Sequence, residues 1–546
     1  MRRVLVIIML GGCLSSALGQ NVNFTSSNLP IVVIKTNGGV IVDDPKIVVD
    51  LGIIDNGPGN RNTLTDPHNA YEGKAAIEIR GSSSQMFPKK QYGIELRAPN
   101  GEDDNEVSVF GMPKESDWIL FAPYNDKTLM RDALSYKLGR SMGNYASRSR
   151  YVELVLNDQY MGIYVFLEKV KRGKNRVPID KLEEDEVTGD ALTGGYILKI
   201  DKTTGGDEGG FVSAHAPLGA TKGQTVYFQY EYPKGEDIVP AQKTYIRDYV
   251  KQFEDALKSD QYNDPNTGWT KFADMNSFID YLIMNEVSKN PDGYRLSTFM
   301  YKKKDSEGGK LFMGPIWDFN LGFGNVDYCT QGTTTGLVID FNSICPDDGW
   351  QIPFWWQKLW SDATFRQALS DRWKSLRATK FSNDVVIGYV DSVAAVLNVE
   401  AQQRNFIKWP VLGVYVWPNY QFSNTTYNGE VSWLKNWIRS RMSYLDATLT
   451  FSITGTNELV ARSVEVQAFP NPFDEKIVFD YQVPVPGETK IEIFDVLGRR
   501  VYNVVDSNDE AGEYSYQAAI AAPPGMYVYR LTHNDGKPVT GKLYRK

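Results

Sequence analysis

The order of local patterns between residues 75 and 167 constrains this chain more than any other feature. Segments 75–79 and 92–96 alternate apolar and polar residues with a period of two, as half-buried strands do. The turn Gly81-Ser82-Ser83-Ser84 lies between them. A second pair, 151–156 and 160–167, is joined by Asn157-Asp158, a two-residue turn signal. Between the pairs, residues 127–142 carry Leu129, Leu134, Tyr136 and Leu138 on one apolar face and read as a helix. Strand, turn, strand, helix, hairpin is the order of a small sheet with one helix packed across it.

Such a sheet suits a nucleotide. A Gly/Ser turn leaves backbone N–H groups free for phosphate oxygens. Lys90 has the parity of Tyr92, Ile94 and Leu96, and so is expected on the covered face, where a lysine needs an anionic partner. A surface lysine pair flanking a strand is the plainer alternative. Further on, Asp292 follows an apolar helix over 278–284. Strands over 298–302 and 310–313 then lead into Gly314-Pro315-Ile316-Trp317-Asp318-Phe319-Asn320. Phosphoryl transfer needs one carboxylate to orient the acceptor hydroxyl and another to hold magnesium. Asp292 and Asp318 fit those two places, and Asn320 can add a neutral oxygen. Each is also the kind of residue that serves turns and caps.

Composition narrows the chemistry. The 546 residues exceed one ordinary domain and contain 12 Trp, 31 Tyr and 25 Phe, enough for a large core. Only three His and three Cys are present, so a Ser-His-Asp site or a His-based zinc site has little material. A two-carboxylate glycosidase stays formally open. The net charge of −8 speaks against nucleic acid as the main partner. No segment after the N-terminus is long and apolar enough for a membrane span.

The termini point to export. Residues 1–19 read as a signal peptide: Arg2 and Arg3, an apolar run over 4–10, and small residues before Gln20. Exported chains meet an oxidising compartment, so Cys329 and Cys345 are expected to pair, with two buried thiols as the alternative. Residues 464–546 read as short strands (476–481, 490–494, 500–504, 514–518 and 526–532) separated by Gly, Pro and Asn turns, a small sandwich.

Two resemblances extend this reading. Phe469-Pro470-Asn471-Pro472-Phe473, Ile493-Phe494-Asp495-Val496-Leu497-Gly498-Arg499, Gly525-Met526-Tyr527 and the terminal Lys542-Leu543-Tyr544-Arg545-Lys546 resemble the C-terminal sorting domain of the Bacteroidetes type IX secretion system. That implies engagement of the secretion machinery, export across the outer membrane, removal of the domain, and release or surface attachment. Arg80-Gly81-Ser82-Ser83, Phe87-Pro88-Lys89-Lys90-Gln91-Tyr92, Ser116-Asp117-Trp118-Ile119-Leu120, Asn125-Asp126-Lys127-Thr128, Met130-Arg131-Asp132, Gly162-Ile163-Tyr164 with Glu168-Lys169, Lys289-Asn290-Pro291-Asp292 and the Gly314 to Asn320 stretch resemble the CotH family of atypical kinases. The resemblance implies an α/β (α+β) protein-kinase-like domain over 28–455, with lobes at about 28–175 and 176–455, that uses ATP and Mg2+ to phosphorylate Ser or Thr of proteins. Carried over, Asp292 is the catalytic-loop carboxylate and Asp318 the metal-holding one. Lys90 meets the phosphates, and Arg80, Gly81, Ser82, Arg131 and Glu168 belong to the nucleotide pocket. Asn320 stands where the family pattern often has Asp, which weakens magnesium affinity. The sorting resemblance makes residues 464–546 an immunoglobulin-like sandwich.

Residues 350–455 read as aromatic helices of the second lobe. Phe365, Leu369 and Trp373, then Tyr427, Val431, Leu434, Ile438, Met442 and Leu445, recur at helical spacing. Trp350, Trp355, Trp409 and Trp417 are read mainly as core; the alternative is a carbohydrate groove. The competing function is a surface binding or adhesion protein that keeps the fold without catalysis.

Overall fold

The computed structural model describes residues 20–203, 209–451, 465–483, 487–510, 512–533 and 538–546. The signal-peptide expectation for 1–19 lies outside these residues. The chain divides into two compact units, Met1–Ser452 and Ile453–Lys546. Among the described residues, no helix is long and apolar enough to cross a membrane.

Beside a short pairing of Ser26–Ser27 with Asn62–Thr63, the first part of the first unit contributes seven longer strands: β1 (Ile31–Lys35), β2 (Ile47–Ile54), β3 (Tyr71–Arg80), β4 (Gln91–Arg97), β5 (Asp117–Phe121), β6 (Ser149–Leu156) and β7 (Gln159–Glu168). They close into a barrel in the order β1-β2-β3-β4-β5-β7-β6. The seam is a parallel pairing of β1 with β6, Ile31 opposite Glu153 through Ile34 opposite Leu156. This extends the expected small sheet by three strands, Ile31–Lys35, Ile47–Ile54 and Asp117–Phe121; the last is buried along its whole length and so lacks a period-two alternation. Inside the barrel, Val32, Ile34, Leu51, Ile77, Ile94, Trp118, Leu154 and Phe166 form one core. Alternate residues of β7 (Ile163, Val165, Leu167) point outward into a second, larger core. The β6–β7 turn has Asn157 and Asp158 at φ 49° and 65°, the conformation a two-residue hairpin requires.

Helix α1 (Arg131–Ser141) lies against that outer face. It starts four residues later than the apolar pattern suggests. Asp126 explains the delay: Oδ1 accepts from the Thr128 amide (3.0 Å) and hydroxyl (2.6 Å), and Oδ2 from the Arg131 amide at 2.8 Å. Leu129 in that loop has φ 63°, which no helix continues.

A second sheet follows: β8 (Tyr196–Ile200), β9 (Gly210–Val212), β10 (Tyr227–Tyr232), β11 (Thr298–Lys302) and β12 (Leu311–Met313), in the order β9-β10-β8-β11-β12. Helices α2 (Pro240–Lys258) and α3 (Met275–Ser288) come between β10 and β11. Asp274 caps α3 by accepting from the Ser277 amide at 2.8 Å. The remaining helices include Trp355–Ser361, Ala363–Arg377 and Tyr427–Thr448, whose apolar stripes enter the larger core as expected. Trp355 is fully buried there, so it belongs to no groove, whereas Trp350 and Trp417 are exposed. Burying one such large side chain contributes about 3 kcal/mol.

Among the described residues, the second unit has seven strands in two sheets. Glu465–Phe469, Lys476–Val483 and Gly512–Ala519 form one; Arg500–Asp509, Gly487–Asp495, Gly525–His533 and Val539–Arg545 form the other. Ile477 and Phe479 from the first sheet and Ile491, Ile493, Leu531 and Leu543 from the second share one core.

Candidate functional site

Asp318 sits just after β12 with φ 59°, a left-handed conformation that costs a non-glycine residue on the order of 1 kcal/mol. Helix α1 holds it there. Tyr136 and Asp132 lie four apart on one helix face. The Asp318 amide donates to the Tyr136 hydroxyl at 3.2 Å, and the Phe319 amide to Asp132 Oδ1 at 2.6 Å. The Tyr136 ring also stacks on Trp317 (5.9 Å between centroids), and the Arg80 guanidinium lies 5.5 Å from the Trp317 centroid. One stack of Tyr136, Trp317 and Arg80 thus sets the backbone on which Asp318 is displayed.

The carboxylate is crowded by protein yet still open to solvent. Crowding and then the Asp292 charge push it up to about 6, against the opposing pull of Arg80. Asp201 and Lys202 act in the same field. Asp132 is pushed up further, first by burial and then by Asp318. Its Oδ2 is buried without a well-formed hydrogen bond.

Asp292 lies in the loop after α3. Arg295, almost fully buried, organises this loop. It donates to Asp292 Oδ1 at 2.9 Å, to Asp348 Oδ1 and the Trp350 carbonyl at 3.1 Å each, and to the Pro291 carbonyl at 2.8 Å. Its guanidinium stacks 4.0 Å from the Phe341 centroid. Lys289 ends α3 at φ 49° and donates to Thr330 O (2.9 Å) and Thr333 Oγ1 (2.8 Å); burial pushes its ammonium down to about 7. These acceptors belong to a loop closed by the Cys329–Cys345 disulfide. Tyr328, next to that bridge, is raised by burial and by the charge of Asp292.

The structure therefore brings Asp318, Asp292 and Arg80 into one electrostatic neighbourhood. The other residues singled out in the sequence are engaged elsewhere. Lys90 is half-buried and donates to the Gln85 carbonyl at 2.6 Å; strand β4 begins only after it. The deeply buried ammonium is Lys89, bound to the Ile163 carbonyl (2.6 Å) and Asn405 Oδ1 (2.9 Å) and pushed down to about 7 by burial. Gly81 takes φ 105° in the turn before Ser82. Arg131 pairs with buried Asp126. Glu168 accepts from the Arg148 amide (2.9 Å) and guanidinium (2.7 Å). Asn320 donates to Asn125 Oδ1 at 3.3 Å, in a net that also holds Asn325 and Asn419. Sequence reasoning missed Asp132, Tyr136, Asp201 and Arg295. The available signals were Asp132 in the Met130-Arg131-Asp132 motif and Tyr136 one helical turn on, on the same face.

Among the described residues, no group of three or more His, Cys, Asp or Glu is placed to hold a metal by itself. Magnesium does not require such a cage. It usually binds through one or two carboxylates plus substrate phosphates. Asp318 and Asn320 supply only oxygen donors, and the unsatisfied Asp132 oxygen beside Asp318 is a group that a hard cation nearby relieves. The residues present fit such an ion.

The chain thus has two units: a mixed α/β one in which Asp318, after a strand, and Asp292, after a helix, share one electrostatic field, and an all-β one. The comparisons place it further. Residues 77–445 match the CotH kinase protein model, and the chain belongs to that family. Residues 467–544 match the secretion system C-terminal sorting domain of type IX secretion, which marks the chain for secretion or cell-surface export and implies contact with that machinery. No curated protein matches the chain.

Proposed function

We propose that this chain is an exported phosphotransferase that moves the γ-phosphoryl group of ATP to a Ser or Thr hydroxyl of a secreted or surface protein. The observation that carries the reading is Asp318, held in a strained conformation by α1 and raised by Asp292. Strained residues and perturbed carboxylates concentrate at functional sites.

Asp292, oriented by Arg295, takes the proton of the acceptor hydroxyl. The acceptor oxygen bonds to the γ-phosphorus as the bond to the β,γ-bridging oxygen breaks, and ADP leaves. Asp318 and Asn320 would hold magnesium, which would neutralise charge on the phosphate oxygens. Arg80 faces this charge from the barrel side, while Gly81, Ser82 and Lys90 form the turn over the phosphates. Arg131 and Glu168 position α1 and β7. Signal peptide 1–19 routes the chain to the periplasm, where phosphorylation precedes outer-membrane passage, and the domain beginning near 464 completes export.

The test is transfer from labelled ATP with magnesium to periplasmic and surface proteins, with Asp292→Asn and Asp318→Asn as controls. Transfer by the wild type alone supports the reading. No transfer, with no nucleotide-dependent rise in melting temperature, favours a surface binding protein that retains the fold.

A further inference from the structure

A cavity of about 410 Å3 in the first unit is bordered by Arg295, the residue that also holds Asp292. Its walls include Asp201, Tyr227, Arg295, Trp350 and Gln351. We propose that it binds a neutral saccharide unit, so that the partner presented to Asp292 is a glycan-bearing one. Its role beside the transfer site rests on the phosphotransfer reading; sugar binding itself does not.

Charge comes first. Among the described residues, both basic groups lining the cavity, Lys222 and Arg295, are already matched. Lys222 pairs with Asp347 at 2.6 Å, and Arg295 with Asp292 at 2.9 Å and Asp348 at 3.1 Å. An anionic ligand finds no cation that is not already paired in the wall. What remains are acceptors. Asp201 Oδ1 accepts the Lys202 amide at 2.8 Å, and its carboxylate also takes the Ser297 amide and a long 3.5 Å contact from the Ser297 hydroxyl, which leaves lone pairs for a further donor. Gln351 is 2% exposed; its amide donates to Cys345 O (3.0 Å) and Asp348 O (2.8 Å), but its Oε1 is buried without a partner. Buried orphan acceptors are costly, and a ligand rich in O–H donors satisfies them.

An aromatic face completes the site. The Trp350 side chain is 44% exposed at the cavity wall, while its backbone is fixed by Asp348 and Arg295. The Lys202 ammonium lies 5.4 Å from its ring centroid. A fixed indole beside hydrogen-bond acceptors suits a ligand that is apolar on its C–H face and hydroxylated at its edge. A sugar ring has both. An apolar ligand would leave Gln351 Oε1 unpaired, and the volume lies within the range of small-ligand sites.

The experiment uses the full chain without ATP. An array of neutral bacterial and host oligosaccharides is screened, and hits are titrated by calorimetry, both free and attached to a carrier protein. We expect binding of at least one oligosaccharide with equal affinity in both forms. Trp350→Ala and Asp201→Asn should each weaken it about tenfold or more, and Trp350→Phe should retain most of it. Trp417→Ala, an exposed tryptophan away from the cavity walls, should change nothing. Melting curves establish that each variant folds. No retained oligosaccharide, undiminished binding by Trp350→Ala, or displacement by a sugar-free Ser/Thr peptide overturns the proposal. ATP-dependent melting of the wild type, measured separately, reports on the phosphotransfer reading alone.

Discussion

Asp318→Asn should stabilise the ligand-free protein at neutral pH while abolishing transfer. Asparagine tolerates the left-handed backbone nearly as well as aspartate, so the φ of 59° does not confound the comparison. The magnitude follows from the carboxyl. Its pKa rises from 3.8 to about 6, chiefly through crowding and then through Asp292. A raised carboxyl pKa penalises the ionised native state. The penalty is absent below the unfolded value, grows as pH rises from about 4 to 6, and is constant above. Taken in full, the shift corresponds to roughly 3 kcal/mol, but the carboxylate meets solvent, and screening reduces this to about 1 kcal/mol. In a unit of this size that moves the melting temperature by about 1 °C. Urea unfolding and thermal melts at pH 4 and pH 7.5 read the difference. With magnesium and ATP at a hundredfold excess over Kd, the wild type should gain about 2.7 kcal/mol and overtake the variant. A variant less stable than wild type at pH 7.5, or a difference that ignores pH, would refute the reasoning.

Four further outcomes are expected. Transfer by the wild type should decline as pH falls through about 6 or somewhat below, as Asp318 protonates, in single-turnover assays across pH. Arg441→Met should cost about 3–5 kcal/mol in urea unfolding, because Glu286, buried against Arg441 at 3.1 Å, is left without its cation. Replacing both Cys329 and Cys345 by Ser should cost about 3 kcal/mol and lower transfer, since the bridged loop carries the acceptors of Lys289. Deleting residues 464–546 should leave the protein inside the cell envelope when fractions are blotted; unchanged surface display would count against the sorting assignment.

Elements flanked by clear turn signals were legible in the sequence. Thr298–Lys302 stands where its pattern placed it, and Asn157-Asp158 announced its hairpin. Asp117–Phe121 was not, because a strand covered on both faces loses the period of two. Of the site, Asp292 and Asp318 were visible through their places after a helix and a strand. Asp132, Tyr136 and Arg295 act through contacts that only the tertiary structure makes: α1 and the segment after β12 are remote in sequence. Lys89 and Lys90 show the limit of parity arguments, since the phase of β4 does not extend back through Phe87-Pro88.

The parallel seam between Ile31–Lys35 and Ser149–Leu156 sets an order of events. The first strand to be made is one of the last to find both neighbours, because its second partner lies more than a hundred residues downstream. Until then the hydrogen-bonding edges of both strands stay open. Closing so long a loop delays barrel formation until most of the barrel sequence is available. This late-closing seam leaves the leading barrel strand half-paired while the intervening sequence is made. Trimming past residue 30 would leave two permanently open edges instead of a closed wall.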